Sequence, residues 1–254
     1  MRIDINDDMA DAKPPFKVVA VIPVHERLQL LPLTIGRLYK KNGLHKVICV
    51  GDGIAEKAIS IEAGALWVPH QNKPLGAKWN AGFMAAKELN PDAIVFVGSS
   101  DWLCDQWLTI MKPHLDRHQM VGVPGCHFID IKQSIRVVNW KGYTGPRADE
   151  TIGIGRILSR EVLDKINWEP FDSTKDNSMD RAMKDKCAKH GYKDVFIHDD
   201  RLVCASISTH RWVNKHQFET HWNNLMPSEK ILECQPFLNQ HFPEAYQLLK
   251  SFNS

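Results

Sequence analysis

The sequence predicts an α/β fold in which a mostly parallel sheet is flanked by helices. Its 254 residues suffice for one large domain, and 43% of them are hydrophobic against 24% that are charged. Residues 93–97 are five consecutive apolar residues, which is typical of a strand buried on both faces of a parallel sheet. Strand-like and helix-like segments alternate with short connections up to this point, and such alternation favours parallel strands joined by crossover helices.

The first half of the chain contains this alternation. We predict strands at 17–23, 46–50, 65–68 and 93–97, and helices at 28–41, 54–63 and 74–89. Gly43 and Gly64 follow the first two helices, and glycine is the residue that most often ends a helix.

The second half is less regular. Residues 120–140 contain β-prone alternation around 132–134, which predicts a hairpin. Ser159 is positioned to cap a helix that ends near residue 166, and a further helix is predicted over 180–190. A short strand is predicted at 195–197. The predicted organisation is a loose leader (1–15), one α/β domain (16–225) and a C-terminal helical extension (226–254).

The composition gives expectations about partners, thiols and membrane segments. Lys and Arg total 32 against 30 Asp and Glu, a balance that does not require a nucleic-acid partner. The six cysteines are scattered without a C-x-x-C pair, so we expect free thiols in a reducing compartment. No apolar run approaches 18 residues and the N-terminus is acidic, so we expect neither a transmembrane segment nor a signal peptide, and a cytoplasmic location.

Small polar and charged residues follow the predicted strands. In open α/β sheets, ligands bind beyond the carboxyl ends of the strands. We therefore expect the loops after three distant strands to converge on one edge and form a pocket there. The residues concerned are Pro23, His25, Glu26 and Arg27 after the first strand, Asp52 after the second, and Ser99, Ser100 and Asp101 after the fourth.

Five segments, in order, resemble the inverting family-2 glycosyltransferases of the GT-A fold. VVAVIPVHER resembles their first strand and loop, and VICVGDG the second strand with its base-reading aspartate. PLGAKWNAGFMAAK is similar to the helix after their third strand, and VFVGSSDWL to the strand that ends in a metal-binding D-x-D motif. GIGRILSREVLDK, followed by Ser178-Met179-Asp180, resembles the acceptor side with its catalytic base. Together the segments lie within residues 17–190.

The resemblance implies transfer of a sugar, with inversion, from a nucleoside diphosphate sugar to a hydroxyl group, and the expected donor is a UDP-sugar. Asp52 would accept a hydrogen bond from the uracil imide; the alternative is a plain Gly-Asp-Gly turn. Lys78, at the place of an arginine in the family, would meet phosphate near a helix start, or be an ordinary surface lysine. Arg27 would contact ribose or diphosphate, or belong with Glu26 to a solvated loop.

The metal-binding motif departs from the family pattern. Gly98 and Ser100 stand where the two aspartates belong, and Asp101 alone keeps a carboxylate. A serine hydroxyl is a poor ligand for Mg²⁺ or Mn²⁺ beside a carboxylate. The resemblance implies Mn²⁺ or Mg²⁺ at Asp101, with His210 as a late ligand. The alternatives are a helix cap for Asp101 and a surface histidine for His210; without a metal, cations in 211–216 would offset the leaving-group charge.

On the acceptor side the resemblance implies that Asp180 is the general base. It would take the proton of the acceptor hydroxyl as the oxygen attacks the anomeric carbon, a role that contributes about 10²–10⁴-fold in rate. Helix capping is the alternative for Asp180, and Asp172 and Asp176 are fallback bases. The expected acceptor contacts are Gly155, Arg156 and Trp168.

The acceptor itself is not specified by the sequence. A glycan, a lipid carrier, a protein or a hydroxylated base in DNA are all compatible, and the Trp-, His- and cation-rich segment 209–222 gives weight to DNA. The main alternative is a GT-A domain that has lost its metal and its catalysis and binds a sugar nucleotide or a partner. A nucleotidyltransferase would need a Gly-rich loop after the first strand, which 23–27 is not. The sequence does not indicate an oligomeric state.

Overall fold

The computed structural model describes residues 15–130, 136–208, 231–232, 234–243, 245 and 251. The strands are β1 (Val18–Pro23), β2 (Lys46–Gly51), β3 (Leu66–Pro69), β4 (Ala93–Phe96), β5 (Asp101–Leu103), β6 (Met120–Gly122), β7 (Cys126–Asp130), β8 (Arg136–Trp140), β9 (Ile157–Ser159), β10 (Val195–Phe196), β11 (Cys204–Ser208) and β12 (Ile231–Leu232). The helices are α1 (Leu31–Asn42), α2 (Ile54–Glu62), α3 (Leu75–Lys87), α4 (Trp107–Leu115), α5 (Arg160–Lys165), α6 (Met179–Ala188) and α7 (Cys234–His241), with a 3₁₀ turn at Gly145–Arg147.

A seven-stranded sheet of order β10-β6-β9-β4-β1-β2-β3 forms the centre of the molecule. β1 pairs in parallel with β2 on one side and with β4 on the other, and β2 continues in parallel to β3. β9 is antiparallel to both β4 and β6. The predicted α/β class, with a mostly parallel sheet and flanking helices, is confirmed, and each predicted element of the first half is present.

The sheet is buried on both faces because its central strands are apolar throughout. α3 crosses one face at very short range. A Cβ added at Gly82 would lie 2.4 Å from Cγ1 of Val21 and 2.7 Å from Cγ2 of Val50, so only glycine permits this approach. Phe83 and Phe96 pack between helix and sheet with ring centroids 4.9 Å apart. This packing fixes the distance between α3, which carries the buried Lys78, and the sheet.

A second sheet has the order β12-β8-β7-β11-β5. β7 and β8 are antiparallel, which confirms the predicted hairpin, although its turn at 131–135 lies outside the described residues. No helix begins at Asp101, as the helix-cap alternative would require: β5 occupies Asp101–Leu103, and α4 begins only at Trp107. β5 forms because it pairs with β11, and Trp102 is buried against Phe242 with ring centroids 5.9 Å apart. These long-range contacts override the local helical signal.

The described C-terminal residues complete the second sheet. β12 pairs with β8, and Leu238 and Phe242 are fully buried in the same core as Trp102. The predicted domain boundary at 225 and residues 1–14 of the predicted leader lie outside the described part. Cys49, Cys104, Cys126, Cys187 and Cys204 are buried free thiols. Within the described ranges, no helix has the length and apolar character needed to cross a bilayer.

Candidate functional site

The loops after β1, β2 and β4 converge on one edge of the central sheet. The three strands are adjacent and parallel, so their carboxyl ends lie side by side. The backbone N–H of Val24 donates to the carbonyl oxygen of Val50 at 2.8 Å, which continues the pairing beyond the strands. We call residues 23–27, 52 and 98–101 the rim. The sequence predicted this convergence of the three loops on one edge.

The β1 loop has an unusual backbone. Glu26 and Arg27 have φ values of 58° and 51°, two successive non-glycine residues in the left-handed region. The conformation is held at both ends: the Glu26 N–H donates to Glu56 Oε1 at 3.0 Å, and the Arg27 carbonyl accepts from the N–H groups of Leu30 and Leu31, each at 3.1 Å. Pro23 and Arg27 are half-buried, whereas His25 and Glu26 are exposed. Strain of this kind in a surface loop is common at binding sites.

Asp101 and Arg27 both belong to the rim, and their opposite charges act on each other. The Gly98 N–H donates to Asp101 Oδ2 at 2.8 Å, and the Ser206 hydroxyl of β11 donates to the same carboxylate. Burial raises the pKa of Asp101, while Ser206, the Arg27 guanidinium and the Gly98 N–H oppose that rise. Burial lowers the pKa of Arg27, and Asp101 opposes that shift. Asp101 lies in a strand, so the helix-cap alternative is wrong.

The two serines of the rim are oriented inward. The Ser99 carbonyl accepts from the Thr34 hydroxyl at 3.3 Å, and the Ser100 carbonyl accepts from the Ile207 N–H at 3.0 Å. Both serines are buried, and the Ser100 hydroxyl has no hydrogen-bond partner among the described residues. Their backbone therefore fixes the loop, and in this conformation the Ser100 hydroxyl is not exposed to a ligand.

Lys78 lies beneath the rim and is fully buried. Its ammonium donates to the Val24 carbonyl and, at 2.9 Å, to Asn72 Oδ1. Burial lowers its pKa to about 8, and the carboxylates of Asp52 and Glu56 oppose this shift. The surface-lysine alternative is therefore wrong. Lys78 ties together the loops after β1 and β3, and contact with phosphate stays a prediction.

Asp52 is the exposed carboxylate of the rim. Its Oδ2 accepts the Asn72 N–H at 3.2 Å, so it shapes the neighbouring loop. An exposed acidic side chain directly after β2 retains acceptor capacity for a ligand N–H. The turn role and the binding role are compatible in this geometry.

A set of polar and charged residues surrounds Asp180, the second residue of α6. Asp180 Oδ1 accepts from Arg156 Nη1 and Oδ2 accepts from the Tyr143 hydroxyl, both at 2.8 Å. The Asp180 side chain is 19% exposed, so the carboxylate still reaches solvent. Helix capping is not its role, because both oxygens are bound by side chains from other segments.

Arg156 has no exposed side-chain surface. Its Nε donates to Thr151 Oγ1 at 2.7 Å, Nη2 donates to the Thr151 carbonyl, and Nη2 lies 3.9 Å from Asp194 Oδ2. Asp194 in turn accepts from the N–H and the hydroxyl of Thr151 at 2.8 and 2.7 Å. We call Tyr143, Thr151, Arg156, Asp180 and Asp194 the acceptor-side cluster.

The burial of two residues argues against the acceptor contacts predicted for them. Arg156 is enclosed by the cluster, and Trp168 is 2% exposed with its Nε1 donating to Asp164 Oδ1 at 2.8 Å. Neither presents side-chain surface in this conformation. Gly155 has a φ of 72° and its carbonyl accepts from Trp107 Nε1 at 3.0 Å. A Cβ there would lie 2.2 Å from the Trp107 ring, so glycine is required for packing.

Residues 171–176 join the two halves of the site. Asp176 Oδ1 accepts from the Leu75 N–H at 2.8 Å at the start of α3, and the Gly76 N–H donates to the Lys175 carbonyl at 2.8 Å. Asn80 donates to the Phe171 carbonyl at 2.8 Å and accepts the Phe171 N–H at 3.1 Å. Asp176, a fallback base in the sequence analysis, therefore caps α3.

Asp172 is the other fallback base. Its Oδ1 accepts from both the N–H and the hydroxyl of Thr174, at 2.9 and 2.7 Å.

The acceptor-side cluster adjoins the rim through the backbone. The Gly155 N–H donates to the Phe96 carbonyl at 2.8 Å, and the Phe96 N–H donates to the Arg156 carbonyl at 2.9 Å. Sequence reasoning missed Tyr143, Thr151 and Asp194. Tyr143 bonds to Asp180 and Thr151 to Asp194, which are distant in sequence, and no motif marks these residues.

The residues of the rim do not fit a divalent cation well. Among the described residues, no group of three or more His, Cys, Asp or Glu side chains is placed to hold a metal. The Asp101 carboxylate is held by Gly98 and Ser206, and a guanidinium acts on it. His210, the other predicted ligand, lies outside the described residues.

No protein-family model and no curated protein matches the chain. Solved structures do match: the structure of S. aureus TarS 1–349 has 12% identity and a TM-score of 0.51, and covers 76% of this chain and 60% of that one. TarS 1–349 in complex with UDP-GlcNAc has 14% identity and a TM-score of 0.53, with 78% and 60% covered. The chain thus spans about 60% of the length of these TarS chains. At such identity the likeness concerns architecture, and the architecture is the GT-A fold.

Proposed function

We propose that the protein is an inverting glycosyltransferase, of the kind found in family 2, that transfers a sugar from a UDP-sugar to a hydroxyl group. The observation that carries the proposal is the convergence of the rim with an ordered carboxylate, Asp180, next to it in the fold. A solved structure with the same fold was determined with UDP-GlcNAc bound, which supports a nucleotide sugar as donor.

In this proposal the rim binds the donor. Asp52 is exposed at the end of β2 and accepts the imide N–H of uracil. Lys78 acts from below by holding the Val24 carbonyl and Asn72 in place, so that the β1 and β3 loops form the walls of the base site. Arg27, His25 and Glu26 line the diphosphate side.

Asp180 is the proposed general base. Each carboxylate oxygen has two lone pairs, so the bonds from Arg156 and Tyr143 leave acceptor capacity on the exposed side of the group. These two bonds fix the carboxylate in one orientation. The acceptor hydroxyl gives its proton to Asp180 as its oxygen attacks the anomeric carbon from the face opposite the leaving UDP.

The acceptor is proposed to be a glycan or a hydroxylated base in DNA. The aromatic and basic segment 209–222 that favours DNA lies outside the described residues, so the proposal for DNA rests on the sequence. The incomplete metal motif favours one further candidate, a nucleotide-sugar binding module without catalysis. Such a module would bind UDP-sugar without hydrolysing or transferring it.

The test uses the full chain, a panel of UDP-sugars and two readouts, release of UDP and the Kd for UDP. Asp180→Asn should lower turnover by about 10²–10⁴-fold and leave the Kd within about twofold, because the base does not bind the nucleotide. Asp185→Asn, exposed on the same helix, is the matched control. Unchanged turnover would remove Asp180 as the base.

Asp52→Ala tests the donor half separately. We expect the Kd for UDP to rise about tenfold, the effect of losing one hydrogen bond from a charged acceptor. If the Kd does not change, Asp52 serves only the turn. Binding of UDP-sugar with no release of UDP under any condition would favour the binding module.

A further inference from the structure

We infer that Arg27, on the loop after β1, neutralises the donor diphosphate in place of a divalent cation at the rim. The inference rests on the proposed function, because it concerns the same donor site. It differs from the sequence-based expectation, which placed Mn²⁺ or Mg²⁺ on Asp101.

The first argument is steric. Asp101 Oδ2 lies only 2.5 Å from the position that a Cβ would take at Gly98. Position 98 is where the first aspartate of the metal motif would stand. Any side chain there would displace the Asp101 carboxylate from the Gly98 N–H that it accepts at 2.8 Å. The present position of the Asp101 carboxylate therefore depends on glycine at position 98, and a second carboxylate there would displace it.

The second argument is the direction of the neighbouring groups. Ser206 lies opposite Asp101 in the antiparallel pairing of β5 with β11, and its hydroxyl donates to the carboxylate. Ser100, at the place of the last aspartate of the motif, has its hydroxyl completely buried. Mg²⁺ and Mn²⁺ require several oxygen ligands that face the ion. Here the one carboxylate is satisfied by protein donors, and the serine hydroxyl is not presented.

The third argument is charge. The Arg27 guanidinium acts electrostatically on the Asp101 carboxylate, so a divalent cation bound to Asp101 would be repelled by Arg27. Guanidinium has five N–H donors in a planar fork that matches phosphate oxygens. Through this fork Arg27 donates to the diphosphate oxygens, while its positive charge continues to act on Asp101. Asp101 is then a positioning residue, and Arg27 supplies the positive charge.

The backbone supports this placement of Arg27. Its left-handed conformation is fixed by the Glu26–Glu56 hydrogen bond before it and by the start of α1 after it. Because the loop is held at both ends, its backbone loses little conformational entropy when Arg27 binds phosphate.

The experiment measures the Kd of the full-length protein for UDP by calorimetry in EDTA and again in Mn²⁺ or Mg²⁺. We expect the wild-type Kd to agree within about twofold among the three buffers. Arg27→Ala should weaken binding in EDTA about tenfold or more, and Arg27→Lys by less, because lysine keeps the charge but loses the fork. Arg201→Ala, an exposed arginine paired with Asp199, is the control for loss of a cation.

The outcomes separate the two proposals. If UDP binds only when metal is present, or if Arg27→Ala binds as tightly as wild type in EDTA, the inference is overturned and the proposed function stands. If the wild-type protein binds no UDP or UDP-sugar in any buffer, both are overturned. Melting temperatures of the variants confirm that each is folded; should Arg27→Ala fail to fold, Arg27→Lys and the wild-type metal comparison decide the question.

Discussion

The rim and the acceptor-side cluster differ in how far their charged side chains are exposed to solvent. In the rim, charged side chains come from loops that directly follow strands, and Arg27 and Asp52 keep exposed surface. In the cluster, Arg156 is fully enclosed and its donors are directed to Thr151, Asp180 and Asp194. The rim can exchange partners with a ligand, whereas the cluster can act outward only through the exposed part of Asp180. The difference separates a candidate binding surface from a rigid support.

The largest expected effect tests the cluster as a support. Arg156→Met should lower the free energy of unfolding by about 3–5 kcal/mol, because it leaves Asp194 and part of Asp180 buried without their cation. Denaturant unfolding measures it. The control Arg201→Met removes an exposed ion pair and should change the midpoint very little. Equal effects of the two substitutions would show that the cluster is not a support.

The second prediction concerns the charge beneath the rim. The pKa of Lys78 is lowered from 10.5 to about 8, so between these pH values the unfolded chain binds more protons than the folded one. Stability of the wild type relative to Lys78→Met should therefore rise with pH across this interval, by up to about 3 kcal/mol at 1.36 kcal/mol per pKa unit. Below pH 8 the difference should be constant.

The measurement for Lys78 is the free energy of unfolding of both proteins at several pH values. Loss of the bonds to Val24 and Asn72 adds an offset that does not depend on pH, so the slope isolates the titration. Lys87→Met, at the exposed end of α3, controls for removing a lysine from this helix. Parallel curves for wild type and Lys78→Met would contradict the prediction.

The third prediction concerns the orientation of the base. Tyr143→Phe removes one hydrogen bond to Asp180 and should reduce turnover about tenfold, with the Kd for UDP unchanged. Tyr192→Phe is a matched control, because it removes a hydroxyl bonded to an exposed carboxylate, Glu161, at 3.0 Å. A similar loss in both variants, or none in Tyr143→Phe, would argue against an orienting role.

The smallest effect is expected at the cap of α3. Asp176→Ala should cost about 1 kcal/mol of stability, because the Leu75 N–H loses its acceptor, and Asp176→Asn should recover most of it. Thermal unfolding measures both. If turnover falls more than a mild destabilisation explains, Asp176 has a role in the chemistry as well.

The sequence predicted the rim better than the cluster for a physical reason. A buried parallel strand is visible as an apolar run, and its end is visible as a change to polar residues, so Asp52 and Asp101 could be placed from local patterns. The contacts of Arg156 join segments as distant as Thr151 and Asp194. Such pairing depends on the whole fold and leaves no local signature.

The same reason explains the errors in secondary structure. After Asp101 the local signal favours a helix, but pairing with β11 makes β5 a strand. β9 also escaped prediction, because three residues give no periodicity and the strand is stabilised by β4 and β6. Burial likewise could not be read for Arg156 and Lys78, since charged residues are mostly exposed.

The hydrogen bonds of residues 171–176 have a mechanical consequence. This segment is fastened to the opening turns of α3 and leads straight into α6. Lys78 in α3 and Asp180 in α6 therefore belong to one connected unit, and a displacement of either helix would carry the other with it.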